Sequence, residues 1–196
     1  MAIFSLKSKE VLSNLTAPAN IDLGAMIPIA TQTVGAGGTS SITFSSIPQN
    51  YEHLELRVIS QSSYTAYNSN VQYQFNSDTA SNYAWHYIAG ESGSGAFTGV
   101  STSSTLIRPD GGATPGSYYA AFGYFIVSIL DYANTNKYKT LRSLGGFENN
   151  TSGRVTLGSG LWMNANAITS ITLTLLSGNF VQGCSAALYG IKRAGA

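Results

Sequence analysis

The chain has 196 residues, a length that a single all-β domain commonly reaches. Only 10% of its residues are charged, where about 25% is usual in globular proteins, so uncharged polar side chains must cover the surface and self-association is expected. The formal net charge of +1 and the scattered lysines and arginines argue against nucleic-acid binding, which needs clustered basic residues.

Residues 1–25 differ from the rest of the chain and are expected to form an N-terminal arm, extended or with a short helix. Charged and apolar residues are mixed here, and Val11, Leu12 and Leu15 fit a short helical turn that Pro18 would end. The arm would lie on another chain; the alternative is a tail that packs on its own domain. Its apolar anchors would be Ile3, Phe4, Leu6, Val11, Leu12 and Leu15.

The remainder, residues 26–196, consists of short apolar segments separated by glycine, proline, asparagine and serine. No helical periodicity follows the arm, so the prediction is one all-β domain, an antiparallel β-sandwich. The strands are expected at 27–34, 40–44, 53–60, 71–75, 83–89, 97–106, 118–132, 137–147, 154–163, 171–175 and 183–191.

Two of these segments are distinctive. Apolar and polar residues alternate over 53–60, which is typical of a half-buried strand with Leu54, Leu56 and Val58 inward. The segment 118–132 is apolar at both odd and even positions. This pattern fits a central strand, or a strand that leaves the sandwich to pair with a neighbouring subunit.

The last two strands are expected to pair with each other and close the sandwich. Ile171, Leu173 and Leu175 alternate with threonines, and a Ser-Gly-Asn turn follows. Cys184, Ala186 and Leu188 then share one face of the final strand. A hairpin alone cannot bury its apolar face, so this pair must pack on the rest of the domain.

Catalytic constellations are nearly absent from the sequence. The two histidines, His53 and His86, are expected at a rim or in packing, and the nine acidic residues show no spacing that indicates a carboxylate pair. The lone Cys184 excludes an intrachain disulfide and a cysteine-rich metal site. We therefore expect no enzymatic activity, cofactor or metal. No apolar run reaches the roughly 20 residues of a spanning helix, so no membrane insertion is expected either.

Aromatic residues cluster in one region together with asparagines and a histidine. Flat rings beside amide groups are typical of sugar-binding or protein-binding surfaces. The alternative, which we favour, is that these amphipathic residues cover the solvent-exposed ends of the sandwich. The candidate glycan or partner surface consists of Tyr64, Tyr67, Tyr83, Trp85, His86 and Tyr87.

Three stretches resemble a family of tailed-phage virion proteins, of the appendage, fibre or capsid-decoration type. They are IPIATQTVGAGGTSSITFSSIPQNYEHLELRV (27–58), QYQFNSDTASNYAW (72–85) and GLWMNANAITSITLTLLSGNFVQGCSAALYGIK (160–192). The last contains a distinctive A-x-L-Y-G-I-K element at 186–192. The resemblance implies a jelly-roll-like sandwich displayed on the particle, usually as a trimer, and brings no known catalytic residues. Residues 1–25 lie outside it.

Composition and resemblance lead to the same functional expectation. The chain would be a non-enzymatic structural protein of a virion, assembled in the host bacterial cytoplasm. Its arm would attach it to the major capsid or tail protein as decoration, cement or fibre, and it would form a homo-oligomer. The alternative is a receptor-recognising tip that binds a host-surface glycan, or another tail or baseplate component. A capsule-degrading hydrolase, which would need two converging carboxylates, is the weakest reading.

Overall fold

The computed structural model describes residues 25–65, 69–109, 112–115, 121–148 and 153–194. Within these ranges the protein is all-β, as predicted, and contains no helix, hence none long and apolar enough to cross a membrane. Apart from its last residue, the expected arm lies outside the described residues. The strands are β1 (Met26–Thr33), β2 (Ser41–Phe44), β3 (His53–Ser62), β4 (Ser69–Phe75), β5 (Tyr83–Glu91), β6 (Gly95–Ser104), β7 (Gly112–Pro115), β8 (Gly123–Leu130), β9 (Lys139–Glu148), β10 (Gly153–Trp162), β11 (Ile171–Leu175) and β12 (Ser185–Ile191).

Eight of these strands form a jelly-roll-like sandwich, which confirms the predicted fold class. One sheet runs in the order β1-β12-β3-β8, and the facing sheet runs β2-β11-β4, with the short β7 beside β4. Neighbours within these sheets are antiparallel, and they are distant in sequence, as two interlocked Greek keys require. β7 also pairs in parallel with the end of β3 and so joins the two sheets at one edge.

The other four strands extend the first sheet. β9, β10, β5 and β6 continue beyond β8 to give an eight-stranded sheet in the order β1-β12-β3-β8-β9-β10-β5-β6. β5 and β6 are inserted between β4 and β7, while β9 and β10 are inserted between β8 and β11. The segment 118–132, which is apolar at both odd and even positions, therefore contains the central strand β8. A central strand was the first of the two alternatives for this segment.

The core lies between the two sheets. The alternation in β3 has the predicted direction, with Leu54, Leu56 and Val58 buried, and β8 contributes Phe125 and Val127. From the small sheet, every second residue of β11 is buried in the same way. Burial of these side chains supplies the main driving force for folding, at about 25 cal/mol per Å² of apolar surface.

The expected pairing of the last two strands is wrong. β11 pairs with β2 and β4, whereas β12 pairs with β1 and β3, so the two strands lie in opposite sheets. Their inward faces were predicted correctly, because alternation alone determines which residues share a side. The strand partners come from distant parts of the chain, and alternation carries no information about them.

Two glycines of β10 allow the extension to pack closely on the segment that leads to β7. A Cβ at Gly160 would lie 2.6 Å from Cγ2 of Ile107, and a Cβ at Gly158 would lie 2.5 Å from Cβ of Pro109. Both distances are too short for any side chain. At these two positions the inner side of β10 is therefore filled by neighbouring residues instead of by its own side chains.

Candidate functional site

The strand alternation in the extension places large apolar side chains on the solvent side. Leu144 on β9, Leu157 on β10 and Ile88 on β5 are directly adjacent across the strands. Their exposed fractions are 54%, 48% and 51%. Ile126 of β8, which pairs with Leu144, continues this row and is partly buried. These residues form a continuous apolar ridge across four strands.

A second row runs beside this ridge and contains glycines. Tyr124 on β8 pairs with Gly146 on β9, which pairs with Val155 on β10, which in turn pairs with Gly90 on β5. Val155 is 66% exposed, the most of any large apolar residue among those described. Because two of the four positions lack side chains, the row contributes to an open depression of about 930 Å³.

We call these two rows together the outer face. Polar side chains border the outer face on both sides along the strands. Arg142 lies on one side of the apolar rows and Glu148 on the other, both exposed and both on β9. His86, exposed on β5, lies in the same row as Arg142 with Ser159 between them. An apolar centre with a polar rim is the usual anatomy of a protein-protein interface. The outer face consists of Ile88, Gly90, Tyr124, Ile126, Leu144, Gly146, Val155 and Leu157.

The outer face was not among the predicted sites, although the sequence of β10 carries a signal for it. Its sequence, GRVTLGSGLW, alternates valine and leucine with threonine and glycine, and the simplest reading would turn Val155 and Leu157 inward. The structure turns them outward, because the inward glycines are needed for close packing against Ile107 and Pro109. Small residues at consecutive inward positions of one strand, here Thr156, Gly158 and Gly160, are the signal that could have indicated this.

The predicted aromatic surface is divided between two sides of the sheet. Tyr83 is fully buried, with its hydroxyl bonded to the backbone of Phe75 and Asp78. Trp85 is 6% exposed, whereas His86, the next residue, points to the opposite side and is exposed. The buried rings of Tyr83 and Trp85 offer no face to a ligand in this structure.

The remaining aromatic candidates also fail to form one patch. Tyr87 is half-buried and stacks on Trp85, with 5.9 Å between ring centroids, and the guanidinium of Arg108 covers Trp85 at 5.1 Å. Tyr64 is 40% exposed and lies just after β3, where its backbone approaches Gly178. Tyr67 lies outside the described residues, as do the arm candidates Ile3, Phe4, Leu6, Val11, Leu12 and Leu15.

Among the described residues, one group has the side chains for a metal site. Glu52, His53 and Asp131 each bring one ligand atom within 4.8 Å of the others, beside a pocket of about 550 Å³. However, Nδ1 of His53 already accepts a hydrogen bond from the backbone N–H of Asp131 at 3.0 Å. This imidazole nitrogen is therefore engaged.

Cations already neutralise the two carboxylates of this group. Lys137 forms an ion pair with Asp131, and its hydrogen bond lowers the pKa of that carboxyl below its ordinary value. Arg193 lies 3.6 Å from Glu52. The cluster therefore fits an ion-pair network that closes this end of the sandwich better than it fits a cation site.

No protein-family model matches the chain, and no curated protein matches it. A solved structure, a protein of unknown function from Shewanella oneidensis MR-1, aligns over 100% of this chain and 99% of its own. The two sequences are 12% identical and the TM-score is 0.19. At this level the similarity carries no argument about fold or function.

Proposed function

We propose that this chain is a non-enzymatic structural subunit of a tailed-phage virion, held in place partly through its outer face. The observation that carries the proposal is the contiguous apolar row of Leu144, Leu157 and Ile88, each about half exposed. A soluble monomer rarely exposes a contiguous apolar patch of more than a few hundred Å² unless the patch binds something.

The size of the outer face suits a binding role. At about 4.8 Å between strands, its four strands span roughly 14 Å, and seven residues along a strand cover roughly 23 Å. This gives an area of roughly 330 Å², the size of an exposed apolar patch that is often functional. With only 10% charged residues in the chain, little electrostatic repulsion opposes such contact.

The virion assignment comes from the sequence resemblance, and the jelly-roll-like sandwich is the fold that the resemblance implies. In this proposal the arm, residues 1–25, binds the major capsid or tail protein, and the domain serves as decoration, cement or fibre. The expected trimer is part of the same proposal. The glycan-binding alternative is the weaker one, since Tyr83 and Trp85 are buried.

The test compares particles that carry the wild-type chain with particles that carry Leu157→Glu. Leu176→Glu is a matched control, because Leu176 is also 48% exposed but lies between β11 and β12, away from the outer face. Burying a carboxylate in an apolar contact is costly, so we expect Leu157→Glu to lower the copies per purified particle at least about tenfold. The control should incorporate normally.

Quantitative mass spectrometry of gradient-purified particles measures the copy number. Normal incorporation of Leu157→Glu would remove the outer face from the proposal. Deletion of residues 1–25 should also abolish incorporation while the domain stays folded, as judged by circular dichroism. A truncated chain that still enters particles at wild-type level would contradict the role of the arm.

A further inference from the structure

We infer that the partner on the outer face is a second copy of this chain, related to the first by a twofold axis. This inference rests on the proposed function and names the partner of the same surface. In an isologous contact one patch must fit itself, so that each knob on one copy meets a hole on the other. The outer face has this alternation of knob and hole on two of its four strands, β9 and β5.

The side chains of the two rows differ in size where the rows cross the same strand. On β9, Leu144 belongs to the ridge and Gly146 to the second row; on β5, Ile88 belongs to the ridge and Gly90 to the second row. On β8 and β10 both rows carry side chains. The ridge is Ile126, Leu144, Leu157 and Ile88, and the second row is Tyr124, Gly146, Val155 and Gly90.

The direction of the axis follows from this alternation. Consider a twofold axis that lies in the plane of the interface, perpendicular to the strands and midway between the two rows. Rotation about this axis places the ridge of one copy over the second row of the other copy, and the second row over the ridge. On β9 and β5, Leu144 then faces Gly146 and Ile88 faces Gly90. On β10 and β8, Leu157 faces Val155 and Ile126 faces Tyr124, so these side chains meet each other. An axis parallel to the strands along β10 would instead place Leu144 against Ile88 and the two glycines together. Only the first arrangement puts large side chains over holes, as close packing requires.

The same axis brings opposite charges together. Arg142 and Glu148 are exposed on the outer side of β9, and each lies one outward position beyond the two apolar rows. The twofold axis crosses β9 midway between Leu144 and Gly146 and reverses the direction of this strand in the second copy. It therefore places Arg142 of one copy opposite Glu148 of the other. The pair occurs twice, once at each end of the contact, and would fix the register.

A charge exchange tests this geometry on the purified full-length chain. The wild-type chain should form dimers, or even-numbered assemblies such as a D₃ hexamer if the expected trimer forms through another surface. Arg142→Glu places two acids opposite each other, and Glu148→Arg places two arginines opposite each other. Each single variant should weaken dimerisation at least about tenfold, and the double variant should restore it.

A second pair of variants tests the fit of knobs and holes. A Cβ added at Gly90 has no atom within 4 Å in the single chain, so Gly90→Leu should fold normally. The new side chain would occupy the space for Ile88 of the second copy and should weaken dimerisation at least about tenfold. Gly35→Leu is the control, since a Cβ at Gly35 is equally free of neighbours but lies after β1, outside the outer face.

Sedimentation equilibrium over a range of concentrations measures the dissociation constant, and circular dichroism checks the fold. A wild-type chain that stays monomeric, an odd-numbered oligomer insensitive to these variants, or a double variant that stays as weak as the single ones would overturn the twofold contact. If the chain is monomeric and Leu157→Glu still loses particle incorporation, the inference fails and the proposed function stands. If the dimer forms and Leu157→Glu incorporates normally, the proposed role of the face fails and the twofold contact stands.

Discussion

Asn76 should be one of the residues on which stability depends most, because it joins two distant segments at the turn after β4. Its Oδ1 accepts hydrogen bonds from the backbone N–H groups of Thr169 at 2.8 Å and Ser170 at 3.1 Å, and from the Thr169 hydroxyl at 3.2 Å. Its Nδ2 donates to the carbonyl of Ala167 at 2.8 Å. Asn76 also has a φ of 50°, in the left-handed region that asparagine tolerates better than most residues.

Two substitutions separate the hydrogen bonds from the backbone conformation. Asn76→Gly removes the four bonds and keeps the freedom to adopt positive φ. At about 0.5–1.5 kcal/mol per bond, we expect a loss of about 2–6 kcal/mol. Asn76→Ala loses the same bonds and adds the cost of a left-handed alanine, about 1 kcal/mol more. The order of stability should therefore be wild type, then glycine, then alanine.

Urea unfolding at equilibrium, followed by tryptophan fluorescence, measures these differences. Asn76→Asp is a useful third variant, since it keeps the acceptor for Thr169 and Ser170 but loses the donor to Ala167; it should fall between wild type and Asn76→Gly. Equal stability of the glycine and alanine variants would refute the conformational part of the argument. A loss below about 1 kcal/mol in Asn76→Gly would refute the hydrogen-bond part.

Three further predictions concern the packing of β10, a buried tyrosine and a buried lysine. Gly160→Ala should lose about 1–3 kcal/mol in urea unfolding, because its Cβ would overlap Ile107, whereas Gly35→Ala should be nearly neutral; equal effects would contradict the close packing. Burial raises the pKa of Tyr83 to about 12. The unfolded chain therefore loses this proton first, and wild-type stability should fall from pH 10 to 12 relative to Tyr83→Phe; parallel pH curves would refute it. Burial lowers the pKa of Lys139, so the folded chain loses its proton first. Wild-type stability should then rise, relative to Lys139→Met, as the pH approaches 10.5, and a flat difference would disprove this assignment.

Local patterns predicted the strands and their inward faces well. In β3 the alternation of Leu54, Leu56 and Val58 was sufficient. In β8 the apolar residues at both odd and even positions left two alternatives, a central strand or a strand that pairs with a neighbouring subunit, and the structure has the first. These predictions succeed because side chains alternate with a period of two wherever one face is buried. The jelly-roll-like topology came from the resemblance and not from the periodicity.

The pairing of the strands and the burial of individual side chains were harder to predict than the strands themselves. β11 and β12 follow each other in sequence, yet each lies between strands from the first half of the chain, and no local pattern encodes such pairing. The aromatic prediction failed at Tyr83 and Trp85 because an amphipathic ring looks the same in sequence whether it is buried or exposed. The outer face was not predicted because the inward glycines of β10, which leave Leu157 facing outward, are required by tertiary contacts. Such contacts cannot be read from the local sequence. The arm remains a prediction.

The central positions of β11 and β12 have a consequence for synthesis of the protein. Until these strands leave the ribosome, β1 and β3 lack the strand that joins them, and so do β2 and β4. The nascent chain would therefore present several open strand edges at once, which favours aggregation until β11 and β12 have paired. The extension contains the three hairpin pairings β5-β6, β8-β9 and β9-β10, which can form locally. The sandwich is expected to form more slowly, since its strand pairings join distant segments.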